Sequence, residues 1–177
     1  MANRWTIGPE FVEHSSKHHL NHELFSCVKL ACGSLPPGWS LEFTSGVREG
    51  DKRYHGRGMA LDVQLIDEHG ARLPNYQDVA SFRAYEKFAQ EVKRQQVRHH
   101  RHLPLRWGGY FSGPKSRYGA LDLMHFDVGK IGTAGGDWEH GLTAAQKGLW
   151  PGAVSEGMKL APARITKRRR RRKRRRR

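Results

Sequence analysis

The chain has 177 residues, 37% of them hydrophobic, and its 32 Lys and Arg against 17 Asp and Glu give a formal net charge of +15. That length suits one domain with extensions, and it is enough to bury a core without disulfide or metal staples. Every residue from Lys167 to Arg177 is Lys or Arg, so this segment carries most of the excess and leaves a mildly basic body. The overall charge is therefore no sign of a nucleic-acid-binding fold.

The first residues, MANRWTIGPEF, contain no apolar core of an export signal. No run approaches the ~20 apolar residues that span a bilayer. The expectation is synthesis in the cytoplasm without a signal peptide. Helical spacing of Leu20, Leu24, Cys27, Val28 and Ala31 predicts a helix capped by Ser15 or Ser16 and ended by Gly33 and Pro36-Pro37-Gly38. Two cysteines, Cys27 and Cys32, fall in that stretch, poorly placed to pair, and are expected to be reduced and packed. Leu41 to Ser45 reads as a short strand, residues 46–58 as a glycine-punctuated loop, and Ala60 to Ile66 as an alternating strand. Asn75 is placed to cap a second helix from Tyr76 to about Val97. Strands are expected over Arg106 to Phe111 and Leu123 to Val128, then a glycine-rich loop to Gly141 and a short helix over Thr143 to Leu149. Mixed helices and short strands predict a compact α+β domain over residues 1–150. A linker follows over 151–166, and a disordered polybasic tail over 167–177.

Alternation sorts the residues of two strands by face. Leu61, Val63 and Leu65 should point to the core, with Ala60, Asp62 and Gln64 on the other side. Met124, Phe126 and Val128 should likewise oppose Leu123, His125 and Asp127. If the strands are neighbours, Asp62 and His125 come together. His55 precedes Asp62 by seven residues, which would put it on the wrong face of a straight strand. Gly56 and Gly58 allow the chain to bend it back. Two imidazoles and a carboxylate form a donor set suited to catalytic zinc. Two further groups, His14, His18 and His22 at helical spacing and His99, His100 and His102, lack a companion carboxylate in the sequence and are expected to be surface histidines.

The segment SGVREGDKRYHGRGMALDV resembles the zinc peptidases that cut peptidoglycan stem peptides. These are D-Ala-D-Ala carboxypeptidases of the VanX and VanY type and phage L-alanyl-D-glutamate endopeptidases. Ser45-Gly46-Val47-Arg48 matches the family's SGxR turn. His55, Gly58, Ala60 and Asp62 match HxxGxAxD, and Asp122, His125 and Asp127 match the later (D/E)xxHxE-like motif. Trp107-Gly108-Gly109 resembles the WGG segment before it. The likeness spans about Leu41 to Val128. It departs at Arg53, where Ser is frequent, and at Asp122 and Asp127, where Glu is common.

The resemblance implies a small, mostly antiparallel sheet packed with helices, with a zinc cleft on one sheet face, as in the Hedgehog and D-Ala-D-Ala-peptidase fold. It implies one zinc ion per chain held by His55, Asp62 and His125, with Asp122 as general base. Arg48 would stabilise the oxyanion or hold a substrate carboxylate, with a structural ion pair as the competing role. Asp127 would orient a ligand or compete with Asp122, and Tyr54 and Trp107 are candidate cleft walls. The implied partner is the peptidoglycan stem peptide, met by a monomer in phage or prophage lysis at the cell wall after release through a separate membrane lesion. The segment Lys167–Arg177 is expected to bind anionic envelope polymers or lipids, with nucleic acid as a further partner. The alternative function is a non-catalytic zinc-fold binding protein attached to polyanions through this tail.

Overall fold

The computed structural model describes residues 4–75, 79–111 and 122–129, together with Trp138. Along the chain these form β1 (Trp5–Ile7), α1 (His22–Ala31), β2 (Ser40–Ser45), β3 (Ala60–Ile66), α2 (Val79–His99), β4 (Arg106–Trp107) and β5 (His125–Asp127). The five strands make one sheet in the order β1-β2-β3-β5-β4. Only β1 and β2 run parallel; the other pairs are antiparallel. The protein is thus α+β, with a small, mostly antiparallel sheet packed with helices.

One sheet face is apolar. Phe43 stands opposite Val63, Leu61 opposite Phe126, and Trp107 opposite Phe126. Phe25 of α1 packs on Phe43, with ring centroids 4.7 Å apart. From α2, Phe82 meets Trp107 at 5.7 Å and Phe88 meets Phe126 at 6.2 Å. Both helices therefore cover this face, and Leu41, Phe43, Leu61, Val63 and Phe126 are fully buried. Each such side chain contributes about 1.5–3 kcal/mol by leaving water. The opposite face carries Asp62, His125, Asp127 and Arg106.

Residues 60–66 form the alternating strand expected of them. Helix α1 begins later than its apolar spacing suggested. Asn21 caps it, with extended backbone and its side-chain oxygen accepting from Leu24 N–H at 2.8 Å. Ser15 instead closes a tight turn, its Oγ accepting from the N–H groups of Lys17 and His18. His14, His18 and His22 therefore do not share a helix face. Helix α2 runs to His99, two residues past the expected end. Asn75 bonds Asp122 and Leu123 across the fold, and residues 76–78 lie outside the described set. The strand expected from Arg106 is two residues long and passes into a 3-10 turn at Gly108–Tyr110. β1 was not anticipated. Cys27 and Cys32 are free and buried, as expected. The expected helix at 143–149, the linker at 151–166 and the tail at 167–177 lie outside the described residues.

Candidate metal centre

Neighbouring strands bring the first two donors together. Asp62 on β3 and His125 on β5 are directly opposite in register. His55 arrives by a sharp reversal. It opens a 3-10 turn, His55–Arg57, which ends at Gly58 with φ of 68° and ψ of 17°. A side chain at Gly58 would be strained by this left-handed backbone, and its Cβ would lie 1.9 Å from the His19 carbonyl oxygen. The turn thus swings His55 back over Asp62, and His55 becomes buried.

Three donor atoms converge. His125 Nδ1 lies 2.9 Å from Asp62 Oδ1, His55 Nε2 lies 3.3 Å from the same oxygen, and the two imidazole nitrogens are 3.2 Å apart. Among the described residues, this is the group of His, Cys, Asp and Glu whose ligand atoms all lie within 4.8 Å of one another. Tetrahedral zinc with bonds of ~2.0–2.1 Å sets its ligands about 3.3 Å apart, so the spacing fits.

The tautomers fit as well. His55 Nδ1–H donates to the Gly46 carbonyl at 2.7 Å, which turns the Nε2 lone pair inward. His125 Nε2–H donates to Asp127 Oδ2 at 3.1 Å, which turns Nδ1 inward. Two nitrogen lone pairs facing each other at 3.2 Å repel unless a proton or a metal ion lies between them. The group can therefore bind a metal ion. Burial alone would lower the His125 pKa, but hydrogen bonds to Asp127 and Asp62, with the charges of Asp62 and Asp122, push it up to about 10. Burial likewise works against the Asp62 carboxylate, and the hydrogen bond from His125, with the imidazoles beside it, outweighs it, holding the pKa well below the usual range.

Asp127 lies behind His125. Arg106, opposite it in register on β4, donates from Nε at 2.6 Å and from Nη2 at 2.7 Å to its two oxygens. The Gly129 N–H adds a third bond at 2.9 Å. Asp127 is fully buried, and burial would raise its pKa, but the His125 and Arg106 hydrogen bonds hold it low. The Arg106 guanidinium in turn lies against the rings of Tyr54 and Phe111, at 4.8 and 5.1 Å from their centroids. Arg106 was missed in the sequence; its one signal is its place beside the WGG segment, since periodicity does not report an ion pair between strands.

Arg48 occupies the other side of Asp62. Its Nη2 pairs with Asp62 Oδ2 and its Nε donates to Ser45 Oγ at 2.7 Å, while the side chain stays 49% exposed. Asp62 thus presents one oxygen to the donor group and one to Arg48. Asp122 stands outside the three-donor group. Its Oδ1 accepts from Asn75 Nδ2 at 2.9 Å and from Met124 N–H at 3.3 Å. Its backbone explains the first glycine of the WGG segment, because a Cβ at Gly108 would lie 2.1 Å from the Asp122 carbonyl oxygen. Trp107 is not a cleft wall. It is buried on the helix side, with its Nε1–H bonded to the Leu123 carbonyl at 2.8 Å. Tyr54 is on the metal side through Arg106. The second histidine group acquires a carboxylate that its sequence neighbourhood lacked: His100 and His102 pair with Glu23 of α1 at 3.3 and 2.9 Å.

No family model matches the chain, and no curated protein matches it. Among solved structures it is similar to the L-Ala D-Glu endopeptidase ChiX of Serratia marcescens, with a TM-score of 0.45 and 18% sequence identity, over 62% of this chain and 80% of that one.

Proposed function

We propose that the chain is a zinc-dependent peptidase that hydrolyses a peptide bond in peptidoglycan stem peptides, of the D-Ala-D-Ala or L-Ala-D-Glu type. The observation that carries this is the convergence of His55 Nε2, Asp62 Oδ1 and His125 Nδ1, with each imidazole fixed through its other nitrogen. A two-nitrogen, one-oxygen donor set suits a catalytic zinc ion, with a position left for water or substrate. The substrate class rests on the resemblance of the SGxR, HxxGxAxD and DxxHxD motifs to the peptidoglycan peptidases. Bound there, zinc supplies Lewis acidity to a scissile carbonyl and makes water a nucleophile near neutral pH.

The chain's own groups do the rest. Asp127, locked by Arg106, holds the His125 ring in its productive tautomer. Asp122 takes the proton of the attacking water and delivers it to the leaving amine. Asn75 aims that carboxylate through its 2.9 Å hydrogen bond. Arg48 keeps a half-exposed guanidinium beside Asp62, where it can meet a substrate carboxylate or a developing oxyanion. The polybasic segment Lys167–Arg177 holds the enzyme to anionic envelope polymers during phage or prophage lysis of the wall.

Asp122→Asn is the direct test. Zinc content should stay at one ion per chain while stem-peptide cleavage falls by roughly 100-fold or more. Cleavage at the wild-type rate would remove Asp122 from the base role. A zinc-loaded wild type that binds wall fragments but cleaves none would replace the peptidase with a binding protein.

A further inference from the structure

A cavity lies away from the metal centre. It has a volume of about 260 Å³ and opens between the turn after α1, the start of β2 and the exposed edge of α2. Its walls are Leu35, Trp39, Leu65, Ala84 and Phe88. Leu65 alternates with Asp62 and Gln64 along β3, so the slot belongs to the helix side of the sheet. None of its lining residues takes part in the metal centre.

The slot is preformed and dry-walled. The Arg4 guanidinium gathers the carbonyls of Leu35, Pro36 and Trp39, with the first at 2.6 Å and the last at 3.3 Å. These bonds engage three carbonyls of the turn that forms the wall and tie the Pro-Pro-Gly turn to Arg4. Leu35, Leu65 and Phe88 are already buried, so the floor is apolar. Arg83 and Lys87 stand at the rim, one helical turn apart and both exposed. Neither pairs with a carboxylate among the described residues. An apolar slot with two unpaired cations at its mouth complements one chemistry: an alkyl chain that ends in an anion. The chain would displace poorly bonded water from the floor, and the head would meet both cations.

We propose that this slot binds a single-chain anionic amphiphile, with the chain against Leu35, Leu65 and Phe88 and the head group on Arg83 and Lys87. Occupancy is independent of the metal centre. The polybasic segment Lys167–Arg177 can also bind anions, but it has no apolar floor, so chain and charge together distinguish the slot.

Decyl phosphate, kept below its micelle concentration, would be titrated calorimetrically into the full-length zinc-loaded chain. Decyl maltoside and inorganic phosphate are the controls for chain alone and charge alone. The expected result is one equivalent of decyl phosphate bound, at least about tenfold tighter than either control. Ala84→Trp, which fills the slot, should abolish that binding. The exposed pair Arg83→Glu with Lys87→Glu should weaken it by at least about tenfold and leaves the core untouched should Ala84→Trp fail to fold. Decyl phosphate binding that survives the charge reversal, or that inorganic phosphate equals, would overturn the proposal and return the binding to the polybasic segment.

Discussion

Removing Arg106 separates the stability of the metal centre from its affinity. Arg106 and Asp127 form a two-point ion pair between β4 and β5, buried on both sides. Arg106→Met keeps most of the volume and deletes the charge. Asp127 is then left inside the protein with His125 and the Gly129 N–H as its remaining named partners. Breaking a buried pair from one side costs about 3–5 kcal/mol. Against a total stability of about 5–15 kcal/mol, that is a large fraction of the fold. Arg106→Met with Asp127→Leu removes both charges and should restore most of the loss, because an apolar pair of similar volume is often neutral or better. Zinc affinity should not recover. His125 Nε2–H has lost its acceptor, and loss of such an orienting carboxylate weakens metal binding about 10–100-fold. Urea denaturation in the presence of chelator would measure the first effect, and competition with a chromophoric zinc chelator the second. A single variant that loses less than about 1 kcal/mol would refute the cost assigned to the buried pair, and a double variant that binds zinc like the wild type would refute the positioning role of Asp127.

Zinc loading near pH 7 should displace about one proton per ion, because the imidazolium of His125, with its pKa pushed up to about 10, holds one in the metal-free protein. Calorimetry in buffers of different ionisation enthalpy would count it, and an absence of proton release would contradict the ring assignments. The thiols should be inert. Burial pushes Cys27 up to about 11 and Cys32 up to about 12, so neither should react with a disulfide reagent at about pH 8 until the protein unfolds. Because both folded values lie above the ordinary thiol value of 9.0, their contribution to stability is complete below that pH and is lost as pH rises through the folded values. Denaturation midpoints that rise across that window would reverse this sign. Asn21→Ala should destabilise α1 by about 1 kcal/mol in urea denaturation, through loss of the cap to Leu24; a change within error would show that the cap is dispensable.

Much of the site was legible because β-structure has a period of two. Alternation alone put Asp62 and His125 on the same kind of face, and the sheet places them directly opposite one another. Gly58 carried the clue to His55, since a left-handed residue is a backbone requirement that sequence can reveal. What escaped was long-range pairing. Arg106 and Asp127 are 21 residues apart, and no local pattern marks them as partners. Glu23, far from His100 and His102 in sequence, meets them only once α1 packs on α2. The start of α1 was misjudged for a local reason: Ser15 satisfies neighbouring N–H groups in a turn of its own, and Asn21 does the capping. Strand β1 escaped because three residues are too few to show alternation, and a parallel pairing needs no adjacent turn to announce it.

Purified peptidoglycan, digested by the protein with and without a chelator and analysed by mass spectrometry, would show whether the metal centre cleaves stem peptides. Stem-peptide fragments with a new amino terminus at one bond should be released. Chelation should abolish the release, one equivalent of zinc should restore it, and His55→Ala should lack it because its metal is gone. Cleavage that persists in the chelated protein, or a fully zinc-loaded protein that leaves every stem-peptide bond intact, would contradict it.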